Sequence, residues 1–489
     1  MSSPLSVTTP LGPGALLATG LNATEPISGL FLCHLDLVTE HDSIPFEGVV
    51  GQPVTVRLEL PGGKARFFNG ICSRFSEGRR GGTFTSYRAE VVPWLWFLTK
   101  KRNSRIFQQR SATDIVRLLF AGPNQPFSVR LEGSYPKREF CVQYRESDFN
   151  FASRLMEEEG IYYYFRHTDT GHTMVLGDTP AGYSTVPGPG VVVFGRPPST
   201  PDTKTVFAWS TEQELRSGKV TLFDHNFELP HKHLQGDATI QPSVQVGTVT
   251  HQMLLPANRG FELFDYPGEY AKRFDQIGPG GEVRPGDIEP TIQADADRTA
   301  GIRMQEEAAR GVFAEGLSNC RHFVAGHMFT LDHHFNRNGK YLLTSVHHRA
   351  TISGDPRTAT EEDLEYDNSF TCIPIALPFR PARATPLPSI RGPQTAYVVG
   401  PAGSETFTDK YGRVKVQFHW DRGGKNDENS SCWIRVAALH AGLESGFLVI
   451  PRIGQEVVVD FLEGDPDQPV IVGSVYNPDH LPPSRNGAG

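Results

Sequence analysis

At 489 residues the chain has room for about three domains, each with its own core. Hydrophobic residues make up 38% and charged residues 21%, which fits neither a disordered polyelectrolyte nor a membrane protein, and 49 glycines with 38 prolines favour short β elements joined by turns. A net charge of −8 offers no bulk attraction to nucleic acid or to acidic membrane surfaces.

The N-terminus, MSSPLSVTTPLGPG, has no basic n-region and no apolar h-region. Synthesis in the cytoplasm is expected, with any export through a machine that reads no signal peptide. Residues 50–98 then hold stretches of period-2 or β-branched and aromatic character. In PVTVRLELP the residues Val54, Val56, Leu58 and Leu60 fall in phase, followed by RFFNGICSRF and TFTSYRAEVV. These read as a meander of strands bent into a barrel. A helix is predicted over Thr113–Phe120, opened by Ser111 with Asp114 three residues on.

The stretch YRESDFNFASRLMEEEGIYYYFRH, 144–167, places three glutamates beside a run of aromatics. Ser147 or Asp148 caps a helix, Phe151, Ala152, Leu155 and Met156 form its apolar stripe, and Gly160 ends it. Glycosidase carboxylates must face each other across a cleft, whereas neighbours on one helix diverge by about 100°. Glu157, Glu158 and Glu159 are therefore expected on a solvated face or in an intermolecular salt bridge to a basic partner, with Arg154 pairing locally to Glu157 and Glu158. Charge reversal there is expected to leave the monomer fold intact but to weaken a contact with another copy or another protein.

Proline-rich breaks are predicted at 178–204 and 276–290, a helix over Ile292–Arg310 with Gly311 as its C′ residue, and then a hairpin turning at Asn338-Gly339. A two-residue turn there pairs no two of His333, His334, His347 and His348, so ordinary strand histidines are expected and no metal site. His225, His231, His233, His322 and His327 read the same way. The stretch 377–393, with five prolines, reads as a semi-rigid spacer. Beyond it, YGRVKVQFHWD puts Val414, Val416, Phe418 and Trp420 on one face of a strand. With TAYVVG and strands at 432–436, 447–450, 455–462 and 469–476 it suits a small closed barrel of the OB type. From Thr395 to His480 there are seven Lys/Arg against twelve Asp/Glu, a net of −5 that argues against single-strand nucleic-acid binding. Trp420, Trp433 and Phe418 read as core or protein interface. The six cysteines are dispersed with no C-x-x-C, and G-x-S-x-G, H-E-x-x-H, Walker A and G-x-G-x-x-G are all absent.

Several of these segments resemble the VgrG spike proteins of type VI secretion systems, relatives of contractile-phage tail hubs. The similarity rests on PWLWFLTKKRNSRIFQQRSATDIV (93–116), the 144–167 stretch, FELFDYPGEY (261–270), YLLTSVHH (341–348) and the last module, from DKYGRVKVQFHWDR through GSVYNPDHLPP. It implies a mainly β fold with some α. Residues 1–380 would be a tail-hub-like region with two tube-type β-barrels, 381–394 a Pro-rich linker, 395–480 an OB-fold module and 481–489 a tail. In the family a β-helix needle follows; here the chain ends at SRNGAG, and a needle is expected to be missing. The resemblance further implies a homotrimer that caps a hexameric Hcp tube, contacts baseplate proteins, and carries effectors or adaptors. A PAAR-type tip would bind only where a needle is present. It implies secretion through the type VI system and no catalytic, cofactor-binding or metal-binding residues. Glu157, Glu158, Glu159, Tyr162, Tyr164, Trp420 and Trp433 are the candidate interface residues. The competing readings are a glycan- or peptidoglycan-active enzyme and an OB-fold nucleic-acid binder.

Overall fold

Alternation of apolar and polar side chains sets the first part of the fold. The computed structural model describes residues 3–122, 125–188, 190–196, 204–274, 285–443 and 445–483. In the strand Pro53–Leu60, Val54, Val56, Leu58 and Leu60 are all buried, as their spacing predicts. This strand lies between Leu5–Thr8 and Lys64–Arg80, and Thr85–Val92, Leu32–Thr39 and Leu17–Pro26 complete a six-stranded antiparallel unit around one core. Leu17–Pro26 also pairs with Gly339–Ile352 and carries the sheet into a second unit. There Gly339–Ile352, Leu364–Pro374, Val312–Ser318, Thr205–Gln213, Val191–Phe194 and His327–Asp332 form a ring. It closes where His327–Asp332 pairs back onto Gly339–Ile352. Among the described residues, the first unit has no pairing between its end strands.

Two local expectations are corrected here. The 178–204 break contributes strands: Ser184–Thr185 and Val191–Phe194 both pair in parallel with His327–Asp332. A four-residue VVVF run between prolines and glycines is too short for a periodic signal; residues 189 and 197–203 lie outside the described residues. The turn at Asn338-Gly339 is longer than two residues, with Leu331 facing Gly339 and Met328 facing Leu342. Its cause is His334. The His334 amide donates to the Asn338 side chain at 2.7 Å, and its Nδ1 accepts from the amides of Asn336 and Arg337, so a side-chain-satisfied loop replaces the tight turn.

Three α-helices are present among the described residues: α1 (Ala112–Phe120), α2 (Asp148–Glu158) and α3 (Pro285–Ala309). Ser111 caps α1 in a reciprocal box, its hydroxyl accepting from the Asp114 amide at 3.1 Å while the Asp114 carboxylate accepts from the Ser111 amide at 3.2 Å. Ser111→Ala is expected to lower stability by about 1 kcal/mol, read as a lower denaturant midpoint at unchanged slope. Ser147 caps α2, accepting from the Asn150 amide at 3.0 Å, and Gly160 (φ +66°) ends the turn that follows. Helix α3 starts earlier than expected and runs through Pro290; residues 276–284 of the predicted break lie outside the described residues. Gly311 does not adopt the left-handed C′ conformation. A Cβ there would come within 2.4 Å of Met253 Cε, so the missing side chain serves a close approach.

The C-terminal module is a five-stranded sheet in the order Lys415–Phe418, Gln394–Val399, Glu456–Phe461, Pro469–Val475, Arg435–Val436. Reciprocal hydrogen bonds between Val414 and Ile434, 3.1 and 2.8 Å, close it into a barrel. Val414, Val416 and Phe418 fill the interior as predicted. The expected strand at 447–450 does not form.

Candidate functional site

The acidic run at the end of α2 holds the N-terminal part together from inside. Glu158 and Glu159 are buried, and the solvated-face expectation is overturned for both. Arg138, on the strand Lys137–Ser147, reaches Glu158 at 2.7 Å and Glu159 at 2.5 Å. Arg154 lies 3.6 Å from Glu158 and grips Glu146 at 2.9 Å; Arg298 of α3 meets Glu159 at 2.7 Å, and Arg273 bonds Asp295 at 2.8 Å. The basic partner that the reversed helix dipole calls for is thus intramolecular. Burial alone would push both carboxyls up. Arg138 and Arg154 instead hold Glu158 well below the usual range, and Arg273, Arg138 and Arg298 bring Glu159 down to about 2. Glu157 points elsewhere: its carboxylate accepts the Thr385 hydroxyl at 2.7 Å and the Thr385 amide at 3.0 Å. With Arg380 donating to the Gly160 carbonyl at 2.8 Å, the proline-rich stretch is fastened to α2.

The same strand, Lys137–Ser147, carries the joint to the C-terminal barrel. Phe140 and Val142 share an apolar core with Val416, Ile434 and Ile471. The Val142 amide donates to Asp467 at 2.7 Å, and the Lys272 ammonium pairs with Asp465 and lies 3.9 Å from Asp467. The guanidinium groups of Arg413 and Arg435 each lie 5.0 Å from the centroid of the Phe227 ring. Burial, then the neighbouring Asp465, pushes the Asp467 carboxyl up to about 7, against the opposing pull of Lys272, Arg154 and the Val142 amide. Its folded-state value lies above its unfolded one, so its contribution is complete below the unfolded value near 4 and is lost as pH rises through neutrality. Unfolding free energy should therefore fall between about pH 4 and pH 7, and Asp467→Asn should flatten that slope.

A further buried cluster joins the two N-terminal units. Both carboxylate oxygens of Glu25 accept from Arg66 Nη2 (2.8 and 2.7 Å), with His167 Nε2 at 3.0 Å and His348 Nε2 at 3.0 Å. His348 Nδ1 meets the Tyr366 hydroxyl at 2.7 Å. Glu25, Arg66, His167 and His348 come from four separate strands, and no spacing in the sequence announces them. Burial would push the Glu25 carboxyl up, but Arg66 and the two histidines hold it well below the usual range. Among the described residues no group of three or more His, Cys, Asp or Glu is arranged to hold a metal.

Tyr162 and Tyr164 are fully buried, their hydroxyls donating to the Thr179 carbonyl at 2.7 Å and the Gly182 carbonyl at 3.1 Å, so the expected interface role gives way to a core role. Trp420 is half-buried within the chain, stacked on Phe418 (5.1 Å, 17°) with its indole N–H on Gln394 at 2.9 Å and its edge toward Tyr144. Trp433 is half-buried and packs on Phe407, with the Lys415 ammonium over its ring. What does lie open is the segment where the predicted strand failed. Leu439 (94% exposed), Leu443 (96%), Phe447 (63%), Leu448 (75%) and Val449 (76%) project around a hairpin of Ala441–Gly442 and Ser445–Gly446. So many uncovered large side chains in one place form an apolar patch of the kind that soluble monomers rarely expose. FLVI has the composition of a strand, but among the described residues no neighbouring strand pairs with it.

Known proteins share these features. A family model described as the phage tail baseplate hub matches residues 24–354, and one described as the type VI secretion system/phage-baseplate injector OB domain matches residues 402–476. The type VI secretion system spike protein VgrG1c of Pseudomonas aeruginosa is 39% identical over 98% of this chain, and VgrG1a of the same organism is 39% identical over 98%. The chain spans 62% and 70% of the length of these two relatives. Among solved structures, the E. coli c3393 protein, a component of the type VI secretion system with structural similarity to T4 tail proteins gp27 and gp5, superposes with a TM-score of 0.65 at 18% identity. It covers 96% of this chain and is itself covered in full. No helix among the described residues is long and apolar enough to cross a membrane.

Proposed function

The chain belongs to the VgrG family of type VI secretion spike proteins, and from this we propose that it is the hub and neck of a trimeric puncturing device. The observation that carries this reading is the apolar hairpin at Leu439–Val449, a surface a monomer does not sustain in water but an obligate assembly covers. In the proposed assembly three copies, each bringing two six-stranded units, present six similar units around one axis, matched to the end of a hexameric Hcp tube. Baseplate proteins would hold the hub, effectors or adaptors would ride on it, and sheath contraction would drive the whole out of the producing cell. The protein acts here by assembly, with no catalytic role. Residues 1–380 would form the hub, 381–394 the linker and 395–480 the neck, with Trp433, half-buried at the joint, placed near a partner.

A puncturing device must transmit thrust from tube to tip without bending at its joints. The buried ion pairs of α2 support this by stiffening the hub from inside, and the Lys272–Asp465–Asp467 clamp by fixing the barrel on it. The test is the solution mass of the full chain by light scattering, with electron microscopy of Hcp tubes mixed with it. A mass of three chains and density at tube ends is expected; a stable monomer that ignores tube ends sinks the proposal.

A further inference from the structure

Two apolar surfaces of the chain are uncovered, and they are unlike in form. One is the hairpin with Leu439, Phe447, Leu448 and Val449. The other lies on FELFDYPGEY: the strand Glu262–Asp265 is exposed at all four residues, with Phe264 62%, Tyr266 51% and Phe261 49% exposed and Leu215 50% beside them. This strand pairs in parallel with Lys219–Asp224 on one side, and among the described residues its other edge is open. An open apolar edge is a template for an added strand. The segment following the hairpin has the matching composition and lacks a template of its own. Among the described residues the Phe447 amide donates to the His440 carbonyl at 3.0 Å, and Leu448 and Val449 carry no backbone hydrogen bond.

We propose that the hairpin segment of one copy packs onto the open Glu262–Asp265 edge of the next copy. Both surfaces border the joint between hub and barrel. Tyr266 lines a cleft there together with Phe227, Arg413 and Arg435, and Leu448 lies next to Gly412, beside Tyr411, whose ring packs 5.2 Å from Phe227. Within one chain each is open to solvent. Two unlike surfaces on one chain make a heterologous contact, which repeats head to tail and closes when the rotation allows it. A second copy supplies the other surface at every step of such a ring and leaves neither uncovered. The inference rests on the three-copy reading above and adds which segments meet.

Disulfide trapping in the full chain separates the two. The six native cysteines are buried and stay silent under mild oxidation. The double variant Phe264→Cys with Leu448→Cys is expected to yield covalent two- and three-copy species on non-reducing gels, while each single variant yields none. Phe264→Asp alone is expected to weaken assembly by about 100-fold, a change of about 2.7 kcal/mol. Links between copies in the Leu448→Cys single variant would show hairpins meeting one another and overturn the contact. A link confined within one chain would place the hairpin on its own edge strand and overturn it equally. Undiminished assembly of Phe264→Asp also overturns it. If light scattering of the unmodified protein gives three copies while these variants behave in any of those ways, this contact fails and the three-copy reading stands. A monomeric unmodified protein removes both.

Discussion

Arg138→Met is expected to lower the stability of the folded chain by about 3–5 kcal/mol, because it leaves buried carboxylates without their main counter-charge. Among the described residues Arg138 is the one group that forms an ion pair with both Glu158 and Glu159, its side chain 3% exposed. Without it, Glu158 keeps Arg154 at 3.6 Å with weaker support from Arg273 and Arg383, and Glu159 keeps Arg298 at 2.7 Å and Arg273 at 3.8 Å. The loss is a large share of the net stability of an ordinary domain, about 5–15 kcal/mol. Arg138→Lys should lose less, since an ammonium keeps the charge but lacks the planar fork that serves two carboxylates at once. The acid limb supplies the sign. Both carboxyls titrate below their unfolded values, so their contribution is present above about pH 4.5 and disappears as pH falls through the folded values, with Glu159 near 2. In Arg138→Met the folded values rise toward or above the unfolded ones, so the deficit against the parent should be largest near pH 7 and shrink as pH falls to 4. Denaturant unfolding at pH 7 and pH 4 checks this; a parent-like midpoint at both would mean the carboxylates are solvated after all.

The contrast between Glu157–Glu159 and Ser111 shows what a sequence can carry. The capping box of α1, the stripe of α2 and the alternation of Val54, Val56, Leu58 and Leu60 are local. Their causes lie within about four residues of their effects, and the structure reproduces them. The partners of Glu159 come from positions 138, 273 and 298, and those of Glu25 from 66, 167 and 348. No periodicity links such positions, because topology alone brings them together. The helix dipole argument correctly required a cation near the α2 terminus and had no means of saying that the same chain supplied it. The 447–450 segment failed for the opposite reason: its strand propensity is genuine, but its pairing partner is absent from the barrel. The association surface of the C-terminal module therefore sits where local propensity and observed structure disagree.

That disagreement yields the second large effect. Replacing Leu439 and Leu448 together by aspartate should convert the assembled protein to monomer at micromolar concentration without lowering the unfolding midpoint of the chain. Both side chains project into solvent on a single chain, 94% and 75% exposed, so their loss removes little intrachain packing. In an assembly each would be desolvated, at about 1.5–3 kcal/mol per side chain, and an aspartate there adds the cost of burying a charge. Two such losses per copy weaken association by about a thousandfold or more. Phe335→Asp is the control. Phe335 is 86% exposed but stands alone on the His334 loop, stacked on that ring, far in sequence from the hairpin. It should leave the assembled mass unchanged. Sedimentation or light scattering across a dilution series, paired with thermal unfolding, separates the outcomes. If the hairpin double variant keeps its assembled mass, or if Phe335→Asp dissociates the protein as readily, the exposed apolar hairpin is not what joins the copies.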